Sequence, residues 1–135
     1  MIDFKPLTLG DKECYESFLR DGADRGCEYA FANLYLWGRQ RFAMIRDHIV
    51  LFSQFSRRSV YPFPAGLGDR KVAVDAIIQD AAERGIPCRI TGLDQAGMEL
   101  IEKEYPGQFR FHCDRDSYDY IYDIHDLADL KGRKY

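Results

Sequence analysis

Apolar and polar positions along this chain follow two periods, and the switches between them mark out its elements. Residues 2–7 read as a short strand that Pro6 keeps at a sheet edge. Thr8-Leu9-Gly10-Asp11 has the capping-box pattern, so a helix should follow to about Arg20. Residues 21–26, rich in Asp and Gly, break it. Residues 29–37 carry helical spacing with apolar side chains almost all round, the pattern of a packed helix rather than a surface one. The period then drops to two. Residues 42–46 and 49–52 flank a turn at Asp47-His48 and predict a hairpin, and residues 59–63 add a third strand that runs into a Pro/Gly turn. Asp69 opens the clearest helix, with Val74, Ile77, Ile78 and Ala81 at i, i+3, i+4 and i+7, and Gly85 and Pro87 end it. Residues 88–91 predict a short strand and residues 94–105 a further helix. Residues 109–112 and 118–124 predict the last two strands, paired through a turn at residues 114–116.

That order gives an α+β domain: a mixed, largely antiparallel central sheet flanked by helices. Composition agrees with one domain. A chain of 135 residues with 46% hydrophobic and 14% aromatic side chains can fill a core and is not disordered. The net charge of −3 gives no global pull towards nucleic acid or anionic lipid, so any such partner must use a local patch. No run has the apolar length of a transmembrane helix and Met-Ile-Asp-Phe-Lys is no signal peptide, so the expected compartment is cytoplasmic. Cys14, Cys27, Cys88 and Cys113 form no Cys-x-x-Cys pair. On a strand, His112, Cys113 and Asp114 point alternately to opposite faces, so no metal site is expected.

Three constellations carry candidate chemistry. The turn at residues 64–69 precedes a helix, where free amides could cradle a phosphate. It has neither nucleotide fingerprint, and Asp69 can occupy those amides itself, so the turn-and-cap reading is preferred. Tyr118, Tyr120 and Tyr122 share one strand face with acidic neighbours, which suits packing against a helix better than stacking on bases. Arg25, Glu28, Tyr29, Asn33 and Trp37 mix polar groups into an apolar stretch. Helical spacing puts Tyr29, Asn33 and Trp37 on one face, with Asn33 either tying the core together or forming the polar floor of a pocket. No nucleophile sits beside a base: His48, His112 and His125 have no serine or cysteine motif around them.

Four stretches taken together carry a resemblance. They are Arg25-Gly26-Cys27-Glu28-Tyr29 with Phe31, Asn33 and Trp37; Pro64 with Gly66, Gly68 and Asp69; Cys88-Arg89-Ile90 with Gly92; and residues 114–122 leading into Leu130-Lys131-Gly132-Arg133-Lys134-Tyr135. Over essentially its whole length the chain resembles the bacterial family of proteins similar to the C-terminal domain of phosphatidylglycerol lysyltransferase, the terminal motif being the specific part. Members look like two N-acetyltransferase-type (GNAT-like) domains in tandem, related to the Fem aminoacyltransferases. The resemblance implies that residues 1–130 are the first GNAT-like domain and that residues 131–135 begin a basic linker to a second. It implies substrate-facing residues at Arg25, Glu28, Asn33, Trp37, Arg115 and Asp116, linker contacts through Lys131, Arg133 and Lys134, and no catalytic residue. The chain lacks the Gln/Arg-x-x-Gly-x-Gly/Ala loop by which acetyltransferases hold the coenzyme A pyrophosphate. The implied function is therefore a non-catalytic half of an acyl- or aminoacyltransferase. Acyl-CoA or aminoacyl-tRNA is the donor implied for the parent protein, with tRNA or lipid as acceptor. The readings set beside it are a small-molecule or nucleotide binding module and a protein-interaction scaffold.

Overall fold

A hairpin builds the centre of the sheet in the computed structural model, which describes residues 1–20, 29–37, 40–55, 57–113 and 128. Strands β2 (Gln40–Ile45) and β3 (His48–Phe55) pair antiparallel from Gln40↔Ser53 to Ile45↔His48. The turn is therefore Arg46-Asp47, one residue earlier than the predicted Asp47-His48. Pairing through to His48 leaves the two-residue loop that hairpins favour, and Arg46 accepts its left-handed backbone at φ 54°. The predicted first strand contracts to β1 (Lys5–Pro6), which pairs with β2 at the sheet edge, where a proline costs no ladder bond. Strand β4 (Arg58–Pro62) pairs antiparallel with the end of β3, and the two-residue β5 (Ala65–Gly66) returns to pair with its beginning. Strand β6 (Ile90–Thr91) lies parallel to β4, giving the order β1-β2-β3-β4-β6.

Helices cover both faces. Helix α1 (Lys12–Arg20) follows a 3-10 turn in which the Asp11 carboxylate accepts the Thr8 N–H at 2.9 Å. The Thr8 hydroxyl donates to that same carboxylate at 2.7 Å, so the capping box is realised from the acidic side. Alternation in β3 sends Ile49 and Leu51 into a core with Tyr15, Tyr29, Phe31 and Leu34, on the side of α1 and of α2 (Phe31–Trp37). Val50 and Phe52 point the other way, into a core with Ala73, Ile77 and Ala81 of α3 (Lys71–Arg84). A third cluster joins Val74 to Ile101 and Tyr105, at and just beyond the end of α4 (Gln95–Glu104). The C-terminal end of α3 and the N-terminal end of α4 follow the sequence, while α3 begins at Lys71 rather than at Asp69. Gly85 takes φ 69°, its N–H and that of Ile86 close back on Ala82 and Ala81, and Asp94 accepts the Gly97 N–H at 2.7 Å. The result is the expected α+β, GNAT-like fold with a largely antiparallel sheet flanked by helices.

Two expectations are corrected. The second helix is one-sided rather than buried all round: Phe31 and Leu34 face the core, while Tyr35 and Leu36 are 38% and 77% exposed. A seven-residue helix laid against one sheet face and α1 has only one side covered. Residues 109–112 form no strand; Phe109 instead turns edge-on to Tyr105, with ring centroids 5.9 Å apart. Their predicted partner, residues 118–124, lies outside the described residues, as does the predicted break at 21–26.

Candidate functional site

Two tyrosines join the start of α2 to the strand-to-helix crossover that follows β4. Tyr15 of α1, fully buried, donates its hydroxyl to the Tyr29 carbonyl at 2.6 Å, and the Tyr29 hydroxyl donates to the Phe63 carbonyl at 2.7 Å. Phe63 continues the parallel pairing beyond β4, its N–H donating to the Thr91 carbonyl at 2.7 Å. The chain then passes through Pro64, β5 and Gly68 into α3. This crossover at the carboxyl end of a parallel strand is where helix amides can meet an anionic ligand.

Here several polar groups of the crossover are engaged by its own side chains. The Asp69 carboxylate accepts the Lys71 N–H at 2.9 Å. The Arg70 guanidinium donates to the Gly66 carbonyl at 3.1 Å and lies 5.4 Å from the centre of the Phe63 ring. Lys71 is paired with Asp75 at 2.9 Å and sits over the Tyr105 ring, and the Tyr105 hydroxyl donates to Asp75 as well. Those two hydrogen bonds, from Tyr105 and then Lys71, hold the Asp75 carboxyl below the usual carboxylate range. Asp69 thus occupies an amide as the turn-and-cap reading expects, but the N-cap of α3 is Arg70, one residue later, and it makes no side-chain cap hydrogen bond.

Of the residues that the sequence offers for substrate binding, Asn33 lies half-buried on α2 and has an interaction partner. Trp37 ends that helix, but its side chain is outside the described residues. Tyr29 precedes the helix, so the helical face predicted for Tyr29, Asn33 and Trp37 exists only from Asn33 onwards. Arg25, Glu28, Arg115 and Asp116, and the linker residues Lys131, Arg133 and Lys134, also lie outside the described residues, as does the tyrosine stripe at 118–122.

The fold brings forward polar groups that the sequence reading passed over. On the sheet face covered by α1 and α2, Gln40 stands opposite Ser53; Ser53 is 2% exposed, and the Gln40 Oε1 is buried with no hydrogen-bond partner among the described residues. The available signal was alternation: Ser53 continues the inward stripe of Ile49 and Leu51, and Gln40 that of Phe42. His48 is also buried, opposite Gly66, and neither ring nitrogen has a partner among the described residues. A buried unsatisfied polar group costs about 1–3 kcal/mol. His48→Leu is accordingly expected to hold or raise the thermal midpoint; a fall of several degrees in a melting curve would contradict this.

Among the described residues no three His, Cys, Asp or Glu side chains cluster to hold a metal ion, and no helix is long and apolar enough to cross a membrane. Cys14, Cys88 and Cys113 are thiols, and burial pushes that of Cys88 up. Asn, Gln and Ser can orient a polar ligand, but none serves as a general base.

The family model described as "Phosphatidylglycerol lysyltransferase, C-terminal" matches residues 20–135. A crystal structure of a conserved protein of unknown function from Bacteroides thetaiotaomicron VPI-5482 is similar at 33% identity and a TM-score of 0.90. The match covers 98% of this chain and 46% of that one, so this chain spans about half the length of that relative. No curated protein matches. With its GNAT-like sheet and a family match that runs through both the α2 region and the crossover, the chain belongs to the phosphatidylglycerol lysyltransferase C-terminal family.

Proposed function

We propose that this domain is the non-catalytic half of an acyl- or aminoacyltransferase and forms one wall of the groove that receives the acceptor. The observation that carries this reading is the self-capped crossover. Asp69 sits on the Lys71 amide, Arg70 on the Gly66 carbonyl and Lys71 on Asp75, so two cations and one amide at the place a donor's pyrophosphate would occupy already have partners within the chain. The missing acetyltransferase phosphate loop points the same way. In acyl transfer an amine or hydroxyl attacks an activated carbonyl, and the protein contributes mainly by positioning and polarising it. A wall can do the positioning with neutral groups such as Asn33 while the other half holds acyl-CoA or aminoacyl-tRNA.

The partner in this reading is a second GNAT-like domain of the same protein. Similarity to 46% of a longer chain leaves room for one, and Tyr35 and Leu36 offer it an apolar face. A tRNA or lipid acceptor would approach along Lys131, Arg133 and Lys134. The test is titration of the isolated chain with coenzyme A, read by fluorescence of its one tryptophan, Trp37, alongside an assay for acetyl transfer. Neither saturable binding nor turnover is expected. Saturable binding would favour a nucleotide-binding module instead, and turnover above a blank would overturn the non-catalytic assignment.

A further inference from the structure

On the sheet face opposite α1 and α2, beyond the C-terminal end of α3, lies a hollow of about 640 Å³. Beneath it lies the stacked pair Phe4 and Phe52, with ring centroids 5.2 Å apart and planes 20° from parallel, 8% and 9% exposed and so offering the hollow only their outer edge. Arg41 stands directly across the strand pair from Phe52, is exposed, and has no hydrogen bond or ion pair among the described residues. The Arg84 guanidinium lies over this pair, 5.5 Å from the Phe4 ring centre and 5.2 Å from that of Phe52. Its Nε donates to Asp80 and its Nη2 to the Ile2 carbonyl, which leaves N–H donors over. Gln54 adds an exposed amide, and Asp3 is the acidic group at the lining.

We propose that this hollow binds a singly charged organic oxyanion, a carboxylate or a phosphodiester, with its head group on Arg41 and Arg84 and its apolar body against the outer edge of the Phe4–Phe52 pair. A guanidinium fork matches either head group with paired, charge-assisted hydrogen bonds. The volume lies in the range of small-molecule sites, roughly 300–1,000 Å³. Arg84 is held in place by its bonds to Asp80 and Ile2, so a ligand meets a donor already oriented. Asp3 limits the charge: beside one carboxylate, and with part of Arg84 neutralised by Asp80, a monoanion is matched better than a dianion. The site lies on the other sheet face from the proposed acceptor wall and stands independently of it.

Benzoate, methyl phenyl phosphate and the neutral benzamide can be titrated into the full chain by NMR. The expected result is saturable binding of at least one anion, with contacts from the probe ring to Phe4 or Phe52. Benzamide should not bind comparably, and Arg41→Gln should weaken the anion about tenfold or more. Binding by one anion alone supports the proposal and assigns the head group. The proposal is overturned if neither anion binds the folded chain, if benzamide binds as well, or if the probe contacts neither phenylalanine. Full affinity in a folded Arg41→Gln variant also overturns it.

Discussion

Replacing Asp80 by alanine should cost about 3–5 kcal/mol of folding stability, because it strands the groups that one buried carboxylate now satisfies. Asp80 is 1% exposed. It accepts the Ile2 N–H at 2.6 Å, the Tyr61 hydroxyl at 2.7 Å and the Arg84 Nε at 2.7 Å. Those donors come from the chain's first residues, from β4 and from the last turn of α3, so one side chain ties three elements. The melting temperature should drop by roughly 10–20 °C, and a loss under about 1 kcal/mol would show that water takes over the three donors. The network also fixes a pH dependence. Burial pushes the Asp80 carboxyl up, but the hydrogen bonds from Arg84, Tyr61 and Ile2 outweigh it and hold the group below the ordinary aspartate range. A carboxylate held low in the folded state stabilises fully above its unfolded pKa, about 3.9, and that contribution is lost as the pH falls through the folded value. The gap between wild type and Asp80→Asn should therefore be widest near neutrality and close below about pH 4.

The contrast between α3 and this network separates what the sequence could tell from what it could not. The stop of α3 was legible because its causes are local: Gly85 supplies a left-handed backbone, and the Ile86 and Gly85 amides close on Ala81 and Ala82. The N-cap of α4 was legible for the same reason, Asp94 reaching a donor three residues away. Asp80 reads in the sequence as one more charge on a helix, since its partner Ile2 is 78 residues away. In the sequence β5 looks like part of a turn because two residues carry no period, and only the return to His48 and Ile49 makes them a strand. In α2, continuous apolar spacing could not say how many sides the fold would cover, and Leu36 was left outside. At the candidate site, the occupation of the first amide of α3 by Asp69 was readable from the turn chemistry. Alternation places Ser53 and Gln40 on the inward face, but that they stand opposite each other was not readable, because the strand register depends on the hairpin turn.

That crossover also gives the second large effect, through the glycine where β5 meets β3. Gly66 pairs with His48 at φ 133°, a backbone that side chains rarely adopt. A Cβ there would lie 2.4 Å from the Asp47 carbonyl oxygen and 3.2 Å from both Cα and Cδ2 of His48. The first of these is backbone and cannot swing aside, so either the hairpin turn or β5 must move. Backbone strain and overpacking each cost about 1–3 kcal/mol, and Gly66→Ala is expected to lose about 3 kcal/mol in denaturant unfolding. Gly68 is the control within the same loop. It also has positive φ, 83°, but an added Cβ meets nothing within 4 Å, so Gly68→Ala should cost only about 1–2 kcal/mol of backbone strain. Equal losses in the two variants would mean that strain alone acts and that the approach of β5 to the hairpin is not tight. The expected inequality has a structural consequence: Gly66 also supplies a carbonyl that Arg70 holds, so displacing β5 should remove one of the contacts that fix that guanidinium, beside its place over the Phe63 ring. A Gly66→Ala chain that stays folded and gains affinity for coenzyme A would show that this strand, more than the Asp69 cap, keeps the crossover closed to phosphate.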